Sequence, residues 1–299
     1  MPLFSQTGTT KTGSDDELSA PGQLRVTRAT RDDWRTVERW IEEQGWDPGV
    51  SDADQFYAQD PEGFFVGWLG DQIVSAIAVV NYDDSFAYLG HYLVRSDLRG
   101  FGYGISTWNA AIGHAGNRTI GLESGDEHLE KYRCAGFVDA YRTQHLAGRV
   151  QPSAMPKGVL PATSVDPLEI GAYDSLAFPA DRTRFIAHWI AARGHRALVR
   201  VVDGQLAGYG VIREATSGYR VGPLVANNRG DAEALFDALT FGLGDVEVSL
   251  EAPEPLAEMT SIAEARGLAA SYETVRMYNR PVRPTAMHRN YAVASFELG

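Results

Sequence analysis

The sequence predicts an α/β (α+β) protein of two similar halves, in each of which hairpin-linked strands make a mostly antiparallel sheet with helices against it. Three observations carry this. Strand-like alternation and helix-like i, i+3, i+7 spacing succeed one another along residues 24–148. A glycine-rich turn, Arg99-Gly100-Phe101-Gly102-Tyr103-Gly104, joins a strand to a helix. The same order of features recurs, more weakly, after residue 168. The 299 residues also exceed the usual size of one domain.

Residues 1–22 are polar and lack the apolar core of a signal peptide, so they read as a disordered tail. Leu24 to Thr27 alternates as a short strand. Thr30-Arg31-Asp32-Asp33 has the form of a capped helix start, with Trp34, Val37 and Ile41 on one face. Gly45 to Gly49 ends that helix, and a second, shorter one is expected around Asp52 to Ala58. Three strands follow, Phe64 to Leu69, Ile73 to Asn81 and Phe86 to Val94, bounded by the turns Gly70-Asp71 and Asp83-Asp84. Beyond the glycine turn, Ile105, Trp108 and Ile112 give one inward helical face. Thr119 to Glu123 reads as a strand, and Ser124-Gly125-Asp126-Glu127 fits a capping box. The helix it opens runs to Cys134, a residue expected to pack, and stops at Gly136. Phe137 to Leu146 is the last strand of this half.

The glycine turn carries the chemistry. Glycines accept positive φ and let a ligand approach without a Cβ in the way. Successive amides, aimed by the positive end of the next helix, cradle phosphate oxygens. Arg99 adds a fixed charge with fork geometry. The expected ligand is an anion, and a pyrophosphate suits it. No Lys-Ser or Lys-Thr follows, which removes a P-loop, and glycines at alternate positions do not match the dinucleotide fingerprint.

What remains, Arg99-x-x-Gly102-x-Gly104, resembles the acyl-CoA loop of the GNAT N-acetyltransferase superfamily. The order β, α, α, β, β, β, loop, α, β, α, β over residues 24–148 is the GNAT order. Leu129 to Phe137 is similar to the family's late helix, in which a tyrosine, here Tyr132, precedes a Gly-Phe pair by four residues.

Residues 149–167 hold four prolines and little periodicity, and read as a linker. After it, Ala197 to Gly210 parallels Phe64 to Ala78, and Val221 to Val225 parallels Leu89 to Val94. Ser249-Leu250-Glu251 parallels Gly121-Leu122-Glu123, and Arg266-Gly267-Leu268 parallels Ala135-Gly136-Phe137. Asn227-Asn228-Arg229-Gly230 stands where the glycine loop stood, but Asp231 and Glu233 follow it, which stabilise an empty helix terminus rather than bind phosphate. The chain therefore resembles a tandem GNAT protein of two GNAT-like domains, each a mixed, mostly antiparallel sheet flanked by helices. Residues 23–148 form the acyl-CoA-binding, catalytic domain and 168–299 a degenerate one. Tyr291 to Leu298 alternates as a strand that closes the second sheet or, as in some tandem relatives, reaches the first domain.

The resemblance implies acyl transfer from acetyl-CoA, as co-substrate, to an amine by direct attack. Leu93 and Val94 would pair with the pantetheine arm as an added strand does, beside a splay in the sheet. Arg99, Gly100, Phe101, Gly102, Tyr103, Gly104 and Ile105 would hold the phosphates. Tyr132 matches the position of the family's proton donor. Glu123 and His91 are candidate bases, and Trp46 and Tyr92, with Phe56, Tyr57 and Trp68 nearby, are candidates to meet the acceptor. Two rival functions stay open: a module that binds acyl-CoA without turnover, and an O-acyl or aminoacyl transferase on the same scaffold.

Composition narrows the partners. A net charge of -12 argues against nucleic acid and anionic membranes; the expected partner, an amine of a small molecule or of a protein, with the small molecule favoured, is what the resemblance implies. One cysteine excludes an internal disulfide and a cysteine metal cluster, and the scattered histidines give no metal-binding pair on a helix, so no metal is expected. No run approaches the roughly 18 apolar residues of a membrane span, and the cytoplasm is the expected compartment. Two packed halves favour a monomer over a homodimer.

Overall fold

The computed structural model describes residues 23–151, 154–254 and 257–299. The expected tail, 1–22, lies outside the described residues. In the first half, β1 (Arg25–Arg28), β2 (Phe64–Leu69), β3 (Gln72–Asn81) and β4 (Phe86–Val94) are antiparallel neighbours. Between β1 and β2 run α1 (Arg31–Glu43) and α2 (Asp52–Gln59). The Thr30 side chain accepts from the Asp33 amide while Asp33 accepts from the Thr30 amide, the reciprocal box expected from the sequence. Trp34, Val37 and Ile41 form the buried stripe of α1.

After β4 come α3 (Tyr103–Ala111), β5 (Thr119–Ser124), which lies parallel to β4, and α4 (Leu129–Cys134). Two details differ from expectation. Ser124 makes no capping box: it ends β5, its hydroxyl donates to Gly125 O, and a 3₁₀ turn at Asp126–His128 precedes α4. Cys134 is exposed rather than packed, because α4 has only 6 residues and buries Leu129 alone.

The second half comprises β7 (Val159–Pro161), α5 (Pro167–Asp174), α6 (Thr183–Ala191), β8 (His195–Val202), β9 (Gln205–Ala215) and β10 (Gly218–Ala226). Then follow α7 (Arg229–Thr240), β11 (Glu247–Pro253), α8 (Ala257–Glu264), β12 (Leu268–Tyr278) and β13 (Asn290–Ala292). Part of the stretch read as a linker is therefore structured. β7 is an edge strand on β8, a place where Pro161 removes no interior ladder bond, and its three residues are too few to show a period.

Among the described residues all 13 strands belong to one sheet, in the order β1-β2-β3-β4-β5-β12-β6-β11-β10-β9-β8-β7, with β13 on β10. The expectation of a separate sheet for each domain gives way to an exchange. β6 (Val138–Arg149), the last strand of the first half, lies between β12 and β11, while β12, from the second half, lies between β5 and β6. Alternation along a strand says which face is buried but not which edge it pairs with, so the exchange leaves no mark in the sequence.

One apolar core consequently spans both halves, joining Trp34, Phe64 and Tyr88 to Phe178, Phe185 and Trp189. A buried ion pair reinforces the junction. Arg213 of β9 donates through Nε and Nη2 to Asp52 of α2, at 2.7 and 2.9 Å, with its guanidinium over the Trp189 ring. Burial pushes the Asp52 carboxyl up, but the Arg213 guanidinium outweighs it and holds the group below its ordinary value. The terminal segment serves both halves: β13 pairs with β10, and the chain then crosses to the first half. There Leu298 O accepts from Tyr82 Oη at 2.6 Å and Phe296 O from Tyr88 Oη at 3.3 Å.

A fragment of residues 1–151 would leave β5 without its outer neighbour and β6 bare on both edges. The expected outcome is an aggregating or partly folded chain, without a cooperative urea transition, that recovers a two-state transition when residues 154–299 are supplied. A first half that unfolds cooperatively alone would contradict this.

Candidate active site

The site forms where β4 and β5 part. They pair only from Phe86–Thr119 to Tyr88–Gly121 and then diverge. On its other side β4 carries a bulge: Ala78 faces Gly90 and Ala76 faces Leu93, so His91 and Tyr92 stand opposite Ile77 alone. His91 takes φ +49°, a left-handed conformation rare outside glycine and asparagine. The two bulge side chains go to opposite faces. His91 meets the Trp34 edge at 5.7 Å, on the α1 side, and Tyr92 meets Trp108 at 5.6 Å, on the α3 side.

Past β4, Gly100 and Gly102 have φ of +89° and +85°, and no heavy atom lies within 4 Å of the place a Cβ would take at either. Gly102 is the N-cap of α3 and offers no side-chain cap. The first helical bond is that of Ser106 N to Gly102 O, so the amides of Tyr103, Gly104 and Ile105 precede the intrahelical ladder. Gly104 is needed for a different reason: a Cβ there would sit 2.9 Å from Tyr92 Oη and 3.1 Å from Val94 Cγ2. Phe101 is exposed, with its ring stacked near Tyr103 at 6.3 Å. Arg99 turns back, donating through Nε to Val94 O at 3.2 Å and through Nη2 to Gln44 Oε1 at 3.1 Å. Loop, helix terminus and the outer edge of β4 at Leu93 and Val94 are thus contiguous. Together they make a cradle open to an anion with an extended chain attached.

Tyr132 lies on the α3 face, its ring 6.0 Å from Trp108 and 6.0 Å from Phe137. Burial, with a smaller push from Tyr92, moves its phenol up, so it holds its proton at neutral pH. On the α1 face a cavity of about 370 Å³ opens beside the bulge. Trp34 and Ile41 of α1, Phe56 of α2, His91 and Glu297 line it. His91 is buried there with Nδ1 lacking a hydrogen-bond partner. Burial pushes its imidazole down toward the neutral form, against the charges of Glu297, Asp52 and Glu38. Of the acceptor candidates, Phe56 lines this cavity, whereas Trp46 is 39% exposed outside it and Tyr92 faces the opposite side.

Glu123 has a different setting. Its carboxylate accepts from Arg276 Nε at 2.8 Å, Thr143 Oγ1 at 2.9 Å and Thr274 Oγ1 at 2.8 Å. Burial outweighs Arg276 and the two hydroxyls and holds the carboxyl above its ordinary value. Every neighbour donates, so the ionised form fits best. The three partners belong to β12 and β6, which makes Glu123 a tie holding the exchanged strands to β5. Its counterpart Glu251 is likewise bound, to Arg220 and His145.

The second half shows what fills such a site. β10 bulges at the equivalent place: Ile212 faces Val221 and Gly210 faces Leu224, with Gly222 and Pro223 between. The slot next to Leu224 and Val225, the counterparts of Leu93 and Val94, is taken by β13, and Val293 N donates to Glu251 O of β11 at 3.0 Å. Its helix terminus is closed as well. Asn228 Oδ1 accepts from Asp231 N at 3.1 Å, and Asp231 accepts from Asn228 Nδ2 at 2.7 Å and Arg200 Nε at 3.1 Å. Among the described residues, no strand takes the corresponding edge of β4 beyond Tyr88. Sequence reasoning missed Glu297 and Arg276, since nothing local marks a residue whose partner lies more than a hundred positions away.

Comparison with known proteins agrees with this picture. A family model described as acetyltransferase (GNAT) family matches residues 27–148, and one described as acetyltransferase (GNAT) domain matches residues 170–292. Holothin acyltransferase of Pseudoalteromonas sp. (strain SANK 73390) is 33% identical over 274 residues, 91% of this chain and 93% of that protein. A crystal structure from Pyrococcus horikoshii, of a protein assigned as an acetyltransferase, superposes with a TM-score of 0.80 at 22% identity, covering 96% of this chain and 99% of that one. A tandem GNAT protein from the clavulanic acid biosynthesis pathway gives a TM-score of 0.58 at 18% identity, covering 87% and 99%. Both structures share the fold.

Arg276→Met would leave Glu123 buried beside two hydroxyls and no cation. A loss of about 3–5 kcal/mol in urea unfolding is expected, with Glu123→Gln costing less because the amide Oε1 can still accept from Thr143 and Arg276 while its Nε2 donates to the Thr274 hydroxyl. Equal, small losses would show that the tie contributes little.

Proposed function

The chain belongs to the GNAT acetyltransferase family, and on that premise we propose that its first half transfers an acyl group from acyl-CoA, acetyl-CoA in the simplest case, to the amine of a small molecule. One observation carries the reading. The two halves share a bulged, splayed sheet, but the second fills its slot with β13 and caps its own helix, whereas the first keeps both the edge of β4 and the N-terminus of α3 open.

The residues present suit an acyl-CoA. The Gly100–Gly102 turn, the first amides of α3 and Arg99 would hold its phosphates. Arg99 would give up its bond to Val94 O as the pantetheine arm pairs with β4 at Leu93 and Val94. Bound there, the co-substrate supplies a thioester as the activated acyl group. Phe101, exposed at the tip of the loop, and Ile105 and Tyr103 on the first turn would flank the arm.

The chain's own groups then manage protons. An amine is protonated at neutral pH and must lose that proton before it attacks. His91, neutral and with Nδ1 free of a partner, is the base that receives it from the α1 side. Tyr132, protonated on the α3 side, gives its proton to the sulfur that departs. Glu123 is already bound by three donors, which supports a structural part for it. The apolar walls of Trp34, Ile41 and Phe56 favour an amine with an apolar body.

Calorimetric titration of acetyl-CoA tests the cradle: micromolar binding is expected in the wild type and loss of at least about tenfold in Gly102→Asp. Tyr132→Phe should lower kcat by about 10²–10⁴ while leaving acetyl-CoA affinity within about twofold, because the phenol acts on the leaving group and not on binding. A chain that binds acetyl-CoA and turns over no amine would be a sensor, and one that binds none would overturn the reading.

A further inference from the structure

The cavity on the α1 face contains charges whose standing differs. Glu38 accepts from both Arg31 terminal nitrogens at 2.8 Å, and Asp52 is paired with Arg213. Arg35, Arg39 and Glu42 sit exposed at the mouth, where water and salt screen them. Glu297 is different: it is 9% exposed, it lines the same cavity as His91, and among the described residues it has no ion pair. Its position is set by its backbone. A Cβ at Gly90 would lie 1.7 Å from Glu297 O, so only glycine at the start of the bulge lets the segment come so close. Leu298 N donates to Ser295 Oγ at 3.2 Å and Gly299 N to Ser295 O at 3.0 Å, which closes a turn around the residue.

The charge of Arg220 reaches Glu297, but Arg220 is itself paired with Glu251, so the Glu297 carboxylate is left to receive a cation that enters the cavity. The cavity also has apolar walls and the His91 imidazole in its lining, and the sealed Nδ1 of that ring has no hydrogen-bond partner among the described residues. A cation for the carboxylate, an apolar body for the walls and a proton to give to the imidazole belong to one kind of molecule. We propose that Glu297, delivered to the first half by the terminal segment of the second, is the residue that selects a cationic primary amine with an aromatic or apolar body in this cavity. The inference rests on the acyltransferase reading for what the amine is used for, but its binding can be measured alone. It also gives the second half a part in the site: the segment that fills the second slot as β13 continues a few residues further to complete the acceptor wall of the first.

The test is calorimetric titration of 2-phenylethylamine, with 2-phenylethanol as the uncharged probe of the same shape, into the full chain without acetyl-CoA. The wild type should bind the amine at least tenfold tighter than the alcohol. Glu297→Gln should abolish that preference, Glu297→Asp should retain part of it, and Glu38→Gln, which alters a carboxylate already paired in the same cavity, should change it less than threefold. Thermal unfolding and acetyl-CoA titration of each variant report folding, and Glu297→Asp carries the comparison if Glu297→Gln unfolds. Equal binding of amine and alcohol by the wild type, including no binding of either, overturns the inference, as does a preference that survives Glu297→Gln. Failure to bind acetyl-CoA would strike the acyltransferase reading and leave the amine selectivity standing.

Discussion

The exchange of β6 and β12 is the constraint on which the rest of the structure depends. With β12 between β5 and β6, the outer half of the first sheet is built from the second half's chain, and the reverse holds for β6 beside β11. Glu123 is the chemical side of that constraint. Its three donors, Arg276, Thr274 and Thr143, lie on the two exchanged strands, so a single carboxylate ties three strands together. A buried ion pair of this sort adds little net stability over an apolar replacement, yet losing one partner costs heavily. That asymmetry suits a device that fixes which strands meet.

A common origin of form makes the difference between the halves informative. Both have a hairpin, a bulge after it, a divergent parallel pair and a helix whose N-terminus faces the gap. In the second half, an asparagine cap and a buried aspartate close the helix terminus, and a strand of the chain's own takes the edge at Leu224 and Val225. In the first half the same groups are left open by glycines at 100 and 102 and by the absence of a capping side chain. The second half is thus a folded scaffold that lends β12, the Arg213 pair and the terminal segment to the first.

The bulge at His91 divides the labour across the sheet. An unbroken strand alternates faces; with two residues opposite one, His91 points to the α1 side and Tyr92 to the α3 side at the place where β4 and β5 separate. On the function proposed above, an imidazole on one face and the Tyr132 phenol on the other would address opposite sides of one reaction centre. The left-handed φ of His91 is the strain that this costs.

By itself the sequence determined what is local. Capping residues and the Trp34, Val37, Ile41 spacing placed α1; turn residues placed the β2–β3–β4 hairpins; Gly102 and Gly104 marked the loop; and internal similarity separated an open first half from a closed second. These signals are short-range because helices and hairpins form between neighbours in the chain. Tertiary structure alone decided that the two sheets are one, that Glu123 meets Arg276, and that Glu297 arrives beside His91. Those contacts join residues more than a hundred positions apart, and strand alternation fixes a buried face while leaving the choice of edge partner to packing.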